Sequence, residues 1–321
     1  MHKNISGGVV SFTAHLAKAL RTVGCEPEIC RVTNTTQSKH REFGDREYYV
    51  NYSVEDTIAD KRPTILTCGD EEVQPQLTRP YIMIVHDLNH VERVPDDLPR
   101  EFIVVIRKQN LDLVDGCHFI PHPYAPRFDR DDTVPPLRGR EFIAISRSRI
   151  SKCKNTWMLI EANRFLRDQG KPQIKIYGRE DRIYSFRFLS EKYVEWTVGG
   201  REFPRTPHAA VNLAARGIFD LDMTNYDGDG GGTQYTFLEA ADAGCIPILL
   251  RSWCEVPNSR LTPGENCFVV DTSKDIADRV GNPQDAVEYT SNIRRNNRLL
   301  LREHDPKVIG KIYRDLLEKL P

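Results

Sequence analysis

Apolar residues occur in two patterns that alternate along this chain. Tyr81–Val85 and Ile246–Leu250 are short, nearly continuous apolar runs, as expected of strands buried on both faces of a parallel sheet. Residues 10–20 and 158–166 instead space their apolar side chains three or four positions apart, which is typical of amphipathic helices. This alternation predicts an α/β protein built on parallel sheets.

The same patterns predict the remaining elements. We predict strands over residues 28–32, 48–51, 64–67, 81–85, 102–106, 142–145, 174–177, 219–223 and 246–250. We predict helices over residues 8–22, 158–166, 208–215, 234–243 and 308–320. The strand that a parallel sheet needs before Gly7 is nearly missing, so we expect the native chain to begin several residues upstream of Met1.

The composition of the chain changes near residue 121. Prolines and charged residues dominate 121–136, which is typical of a stiff linker. We therefore predict an N-terminal domain over residues 1–126, a linker over 127–139, a C-terminal domain over 140–304 and a terminal helix over 305–321. A chain of 321 residues is long enough for two such domains.

The charges are nearly balanced, with 45 basic and 46 acidic residues and a net charge of −1. Such a chain has no overall field that attracts nucleic acid or membranes, so any DNA contact would need a local basic patch. No apolar run approaches the ~18 residues of a membrane span, and we expect a soluble, cytoplasmic monomer. The eight cysteines include no C-x-x-C pair, which favours reduced thiols over disulfides or zinc.

A glycine loop followed by a helix is the strongest chemical signal in the chain. Gly230–Gly232 allow the backbone to approach a ligand closely, and Thr233 is a good N-cap for a helix that begins at about Gln234. The free N–H groups and dipole of such a helix bind anions. Glu239 lies one and a half turns further on, where its carboxylate could reach ribose hydroxyls, and Gly244 ends the helix. The segment predicts a nucleotide-sugar site.

Four cations follow the predicted strand 142–145. They are Arg147, Arg149, Lys152 and Lys154, between a buried strand and the start of a helix. Arginine grips a diphosphate through two hydrogen bonds and lysine supplies a point charge, so the segment suits a diphosphate. Composition alone favours a solvated basic loop, which remains the alternative.

Polar residues also follow the predicted strand Tyr81–Val85. His86 and Asp87 come directly after its last apolar residue, at the end where parallel sheets bind ligands. In the alternative interpretation His86 caps the strand and Asp87 caps the following turn. His90 is assigned to a helix cap or to the surface.

Segment 230–250 resembles the retaining glycosyltransferases of the GT-B fold, particularly family four and the DNA α-glucosyltransferases of T-even phages. These enzymes have a glutamate on this helix, then a small-residue turn and G-x-I/V-P before a strand, and Glu239, Gly244 and Pro247 match. The first glutamate of the family's E-x7-E motif is replaced by Gly231, and Gln234 stands where the phage enzymes have a glutamate. The resemblance implies two Rossmann-like domains facing a central cleft, with a C-terminal helix crossing back to the first domain.

The resemblance also implies roles for the residues described above. The family holds the donor diphosphate with an arginine and a lysine five positions apart, a spacing matched by Arg149 with Lys154 and by Arg147 with Lys152. A family histidine contacts the donor sugar, which implies that role for His86, with Asp87 near the acceptor hydroxyl. The other implied donor-binding residues are Gly7, Gly8, Tyr177, Gly178, Arg179, Gly231, Gly232, Thr233, Gln234, Tyr235, Thr236 and Glu239.

The implied activity is sugar transfer from a UDP-sugar co-substrate with retention, without a bound cofactor or metal. Asp227 and Asp229 are assigned to turns rather than to a metal site. The implied acceptor is a hydroxymethylated pyrimidine in double-stranded DNA, with acceptor contacts from Lys39, Arg41, Asn89, Arg182 and Tyr184. Glycan, lipid or small-molecule acceptors remain open, as do a UDP-sugar epimerase and an inactive nucleotide-sugar-binding module.

Overall fold

The computed structural model describes residues 8–32, 41–43, 47–67, 76–77, 79–128, 136–148, 150, 152–178, 207–225, 234–256 and 259–321. The chain divides into two compact units. The first unit contains residues 1–125, 230–232 and 303–321, and the second contains residues 126–229 and 233–302. Each unit has its own parallel sheet.

The elements of the first unit, up to its last strand, are α1 (Gly8–Thr22), β1 (Ile29–Val32), β2 (Arg41–Phe43), β3 (Glu47–Tyr52), α2 (Val54–Ala59), β4 (Thr64–Leu66), β5 (Tyr81–Val85), α3 (Leu88–Val91), β6 (Ile103–Val105) and β7 (His118–Phe119). Those of the second unit are β8 (Phe142–Arg147), α4 (Thr156–Asp168), β9 (Lys175–Tyr177), α5 (Pro207–Ala214), β10 (Gly217–Asp222), α6 (Tyr235–Asp242), β11 (Ile246–Leu250), α7 (Ser252–Glu255), β12 (Phe268–Val270), α8 (Ser273–Gly281) and α9 (Gln284–Arg302). The chain ends in the first unit with α10 (Pro306–Leu317).

The first unit is built on a parallel sheet with strand order β4-β5-β6-β7. Every residue of β5 is buried, which is why its sequence is apolar throughout. A second sheet has the order β1-β3-β2, in which β1 pairs parallel and β2 antiparallel with β3. Helix α10 packs closely on α1, because a Cβ atom on Gly310 would lie 2.2 Å from the carbonyl oxygen of Ala19. Only glycine allows the two helices to approach this closely.

The second unit is built on an all-parallel sheet with strand order β12-β11-β10-β8-β9. Helices α4 and α8 cover it through a core that includes Leu159, Leu166 and Ile276. A smaller cluster joins α5 to α6 through Val211 and Ala240. Every predicted strand overlaps an observed one, and the predicted ends of β5 and β11 are confirmed. Strands β2, β7 and β12 were not predicted.

The described ends of the predicted linker are bound by the second unit. The carboxylate of Asp242, fully buried at the end of α6, accepts hydrogen bonds from the backbone N–H groups of Arg127 (2.7 Å) and Phe128 (3.0 Å). The guanidinium of Arg140, the first residue after the predicted linker, donates to the carbonyl oxygens of Gly217 (2.6 Å) and Ala243 (2.7 Å). The segment therefore begins and ends against α6 and β10.

Buried histidines concentrate in the first unit. His304 donates from Nδ1 to the carbonyl oxygen of His122 at 2.7 Å, and both rings are buried. Burial lowers the pKa of His304 to about 4, and burial together with the nearby Arg107 guanidinium lowers the pKa of His122 well below its ordinary value. Both rings are therefore neutral in the folded protein at neutral pH.

These histidines predict acid destabilisation. The unfolded chain takes up protons near pH 6.5, whereas the folded rings do not, so the stability present above pH 6.5 is lost as the pH falls towards 4. We expect His304 alone to contribute up to about 3 kcal/mol to this loss. Urea melts of the wild type and His304→Gln between pH 4 and 8 measure it: the variant should have the shallower slope. An equal slope in both would contradict the assignment, and exposed His118→Gln serves as the control.

Candidate nucleotide-binding site

The predicted donor helix is α6, and it begins one residue later than predicted. Its first helical residue is Tyr235, with Gln234 rather than Thr233 at the N-cap and no side-chain cap hydrogen bond. The first turn is fixed from another element instead, since the Thr236 hydroxyl donates to Asp222 at 2.7 Å. Gly244 has a φ of 65° and follows the last turn, which confirms the predicted stop.

Asp222 links the carboxyl end of β10 to the start of α6. Its Oδ2 accepts from Thr236, and its Oδ1 accepts from the backbone N–H of Thr224 at 3.0 Å and from the Thr224 hydroxyl. The Thr224 carbonyl oxygen in turn accepts from the indole nitrogen of Trp253 at 2.8 Å. This buried chain of hydrogen bonds fixes the first turn of the helix relative to the sheet.

Arg147 lies at the carboxyl end of β8 with only 1% of its surface exposed. Its Nε and Nη2 donate to Oδ2 of Asp220 at 2.9 and 2.5 Å, and its Nη1 donates to Oε2 of Glu239 at 2.7 Å. The remaining donors reach the carbonyl oxygens of Ala210 (3.1 Å) and Thr236 (3.3 Å). All five N–H donors of the guanidinium are therefore used within the second unit.

Two buried carboxylates share this one guanidinium. Burial raises the pKa of Glu239 to about 7 and also raises the pKa of Asp220, while Arg147 acts in the opposite direction on both. The pKa of Arg147 is raised, because the attraction of the two carboxylates exceeds the effect of its burial. Arg147 therefore stays charged, and each acid is only partly compensated.

The geometry corrects one of the two predicted diphosphate pairings. Arg147 has no donor left for a ligand, so the pairing of Arg147 with Lys152 loses its arginine. Lys152 and Lys154 lie in a short 3-10 turn between β8 and α4, the first exposed and the second buried. Arg149, the arginine of the other pairing, lies outside the described residues.

Gly178 follows β9 where that strand approaches β8 closely. A Cβ atom on Gly178 would lie 1.8 Å from the carbonyl oxygen of Ser148, and the Ser148 N–H donates to the Tyr177 carbonyl at 3.2 Å. The glycine is thus required by the contact between two chain segments. Tyr177 itself is half-buried, with its ring 6.5 Å from that of Phe142.

The predicted catalytic pair lies in the first unit, at the carboxyl end of β5. His86 is buried, and its ring lies 4.8 Å from that of Phe12 in an edge-to-face contact. The backbone N–H of His86 donates to Nδ1 of His90 at 3.4 Å. Asp87 is the N-cap residue of α3, without a side-chain cap hydrogen bond. Its Oδ1 is buried and has no hydrogen-bond partner among the described residues. Burial lowers the pKa of His90.

Nine other predicted site residues lie outside the described part of the chain. Those outside the described residues are Gly7, Lys39, Arg149, Arg179, Arg182, Tyr184, Gly231, Gly232 and Thr233. Gly8 begins α1, and Arg41 and Asn89 lie in β2 and α3 with side chains outside the described part.

The two acids of β10 were not predicted as site residues. Asp220 and Asp222 alternate with apolar residues in a strand that is otherwise buried, and this spacing places both side chains on one face. Acidic side chains on a buried strand need buried cations or hydrogen-bond donors as partners. The acids of this strand could therefore have indicated a buried polar cluster from the sequence alone. Within the described residues, no three His, Cys, Asp or Glu side chains cluster as ligands of a metal ion, and no helix is long and apolar enough to cross a membrane.

Comparison with known proteins relates the whole fold to solved structures. No family model and no curated protein matches the sequence. The chain is similar to phage T4 α-glucosyltransferase in complex with UDP and a 13-mer DNA containing an HMU base (TM-score 0.68, 12% identity, 99% of this chain and 98% of that chain). It is similar to Alr3699/HepE of Anabaena in complex with UDP and glucose (TM-score 0.66, 13% identity, 98% and 96%).

A third similarity covers less of the chain. The pneumococcal O-GlcNAc transferase GtfA, in complex with UDP and GlcNAc, matches with a TM-score of 0.56 and 14% identity over 80% of this chain and 56% of that chain. At these identities the likeness concerns the fold. The chain has the two-domain α/β architecture of the GT-B fold, with a parallel sheet in each unit.

Proposed function

We propose that the protein is a GT-B glycosyltransferase that transfers a sugar from a UDP-sugar to a hydroxyl acceptor. The observation that carries this proposal is Glu239, buried on α6 and hydrogen-bonded to Arg147 at the carboxyl end of the sheet. Parallel α/β sheets bind ligands at this end. Support also comes from the T4 glucosyltransferase and the Anabaena protein, which have a similar fold over nearly their whole length and were solved with UDP.

In this proposal the donor is bound mainly by the second unit. Glu239 accepts hydrogen bonds from the ribose hydroxyls, and Lys154 with Arg149 neutralises the diphosphate. The glycine loop and the start of α6 supply N–H groups and a positive dipole end to the same phosphates. The hydrogen bond from the Thr236 hydroxyl to Asp222 supports this assignment, because it fixes the start of the helix against β10.

The proposed chemistry retains the anomeric configuration. The bond between the sugar C1 and the diphosphate oxygen breaks, a bond from C1 to the acceptor oxygen forms on the same face, and the departing phosphate takes the acceptor proton. The cations stabilise the charge that develops on the leaving diphosphate, which is the main electrostatic contribution. His86 contacts the donor sugar and Asp87 positions the acceptor hydroxyl. The Oδ1 of Asp87 supports that role, since it is a buried acceptor that no described residue occupies.

The proposed acceptor is a hydroxymethylated pyrimidine in duplex DNA. Support comes from the T4 enzyme, which was solved with DNA containing an HMU base, and from the motifs that this chain shares with phage enzymes. A net charge of −1 gives no general attraction to DNA, so the basic residues that contact it must lie together on one face. Glycans, lipids and small alcohols are the competing acceptors.

The acceptor is tested by nucleoside mass spectrometry. The protein is incubated at low salt with UDP-glucose and one of three duplexes of the same sequence, containing cytosine, hydroxymethylcytosine or hydroxymethyluracil. We expect a hexose on hydroxymethylated nucleosides only, without added divalent metal, and a much slower reaction for His86→Ala at saturating donor. If the protein transfers the sugar to a glycan or a small alcohol and none of the three duplexes gains a hexose, the proposal of a DNA acceptor is contradicted.

The same product tests the stereochemistry. Proton NMR of freshly formed product should show the sugar in the anomeric configuration of the donor. An inverted anomer would contradict the proposed front-face mechanism, whatever the acceptor.

A further inference from the structure

The buried Arg147 has a geometry that suits a role in nucleotide recognition, although it cannot touch the nucleotide. Its guanidinium is held by three elements besides its own strand: Asp220 of β10, the Ala210 carbonyl of α5 and the Thr236 carbonyl of α6. These bonds fix the plane and rotation of the group. The one remaining donor, on Nη1, points to Oε2 of Glu239 at 2.7 Å.

Glu239 is therefore held at one oxygen and open at the other. Oε2 is bonded to Arg147, whereas Oε1 makes no hydrogen bond to the described residues. A carboxylate has about four acceptor positions, so Oε1 and the second lone pair of Oε2 remain for the two hydroxyls of a ribose. The guanidinium thus determines which part of the carboxylate a ligand can use.

We propose that Arg147 is a positioning residue that orients the Glu239 carboxylate for the ribose of the donor. This role rests on the proposed function, since it requires a nucleotide at Glu239. Asp220 contributes to the same positioning, because it accepts hydrogen bonds from Nε and Nη2 on the opposite edge of the guanidinium. Arg147 does not contact the diphosphate.

The charge of Arg147 also favours ribose binding, because it favours the ionised form of Glu239. The charged groups around Glu239 are Arg147 on β8, Asp220 on β10 and Asp242 on its own helix, and only the first favours the ionised carboxylate. Burial and the two acids raise the pKa of Glu239 to about 7. An ionised carboxylate is a pure acceptor, as two ribose hydroxyls require, so donor affinity should fall as the pH decreases below 7.

A double-mutant cycle on donor affinity separates positioning from general stability. Arg147→Lys keeps the positive charge but loses the planar set of N–H donors. Glu239→Gln keeps the shape of the side chain but loses its negative charge. Calorimetry with UDP-glucose at pH 8 should show an affinity loss on the order of tenfold for each single variant. The double variant should be no weaker than Glu239→Gln, because Arg147 acts through Glu239. Melting temperatures are measured in parallel.

Two further variants keep the test decisive. Asp220→Asn leaves both Arg147 and Glu239 in place but loosens the guanidinium, and it should weaken UDP-glucose binding several-fold only when Glu239 is present. Arg216→Lys changes an exposed arginine of the same unit, paired with Glu141 at 2.6 Å, and should leave affinity unchanged. The fall in affinity between pH 8 and 6 should disappear in Glu239→Gln.

The outcomes distinguish this role from the proposed function. Losses that add in the double variant, or an Arg147→Lys protein that melts earlier but binds UDP-glucose normally, would overturn the positioning role alone. If Arg147→Lys does not fold, normal binding by Asp220→Asn would overturn it equally. A wild-type protein that does not bind UDP-glucose would overturn the proposed function and this role with it.

Discussion

Replacing Arg147 with methionine should lower the stability of the second unit by about 3–5 kcal/mol. The substitution leaves the carboxylates of Asp220 and Glu239 buried without their shared cation, and it removes the guanidinium hydrogen bonds to the Ala210 and Thr236 carbonyls. Removing one partner of a buried ion pair costs far more than the pair contributes, because an uncompensated charge remains. The variant should regain part of its stability at low pH, where the acids take up protons.

Tryptophan fluorescence can measure this loss in the second unit specifically. All three tryptophans of the chain fall within residues 126–302, so urea melts followed by fluorescence report on that unit. Arg216→Met is the matched control, since its ion pair with Glu141 is equally short but half-exposed, and methionine can still cover the Phe142 ring. The control should cost at most about 1 kcal/mol. Equal losses in the two variants would contradict the assigned burial of Arg147.

Donor affinity should fall sharply when either predicted donor contact is removed. We expect Glu239→Ala and Lys154→Ala each to weaken UDP-sugar binding by about 2–3 kcal/mol, the value of a charge-assisted hydrogen bond. The first loses an acceptor of the ribose hydroxyls, and the second loses a cation beside the diphosphate. Lys152→Ala removes the exposed cation two residues earlier and should have little effect.

Calorimetric titration with UDP-glucose measures all three variants. Unchanged affinity in both Glu239→Ala and Lys154→Ala would contradict the assignment of the donor site to these residues. A large loss in Lys152→Ala alone would assign the diphosphate to the other lysine.

Most of the fold was predictable because its central strands are continuous apolar runs that can be recognised without knowledge of their neighbours in space. Strands β5 and β11 are apolar runs of five residues, each followed at once by a polar residue, His86 or Arg251, and their ends were predicted correctly. Strands β2, β7 and β12 are only three, two and three residues long, so hydrophobic periodicity cannot detect them. The start of α6 shifted by one residue, because a contact between Thr236 and Asp222 replaces the local cap.

The role of Arg147 could not be predicted from its neighbours in the sequence. It stands among four cations within eight residues, which favours a solvated loop or an anion site. Its actual partners, Asp220 and Glu239, are 73 and 92 residues away in the chain. Only the parallel pairing of β8 with β10 and the packing of α6 bring these three side chains together. Tertiary contacts therefore determine the partners of Arg147, and its own segment of the sequence does not.

Calorimetric titration of the wild type tests most directly whether this GT-B chain uses a UDP-sugar. UDP-glucose should bind saturably at one site, glucose 1-phosphate should bind far more weakly, and Glu239→Gln should lower the UDP-glucose affinity on the order of tenfold. A wild-type protein without measurable affinity for UDP or UDP-sugars would contradict the claim. Equal affinity in the wild type and Glu239→Gln would contradict the site.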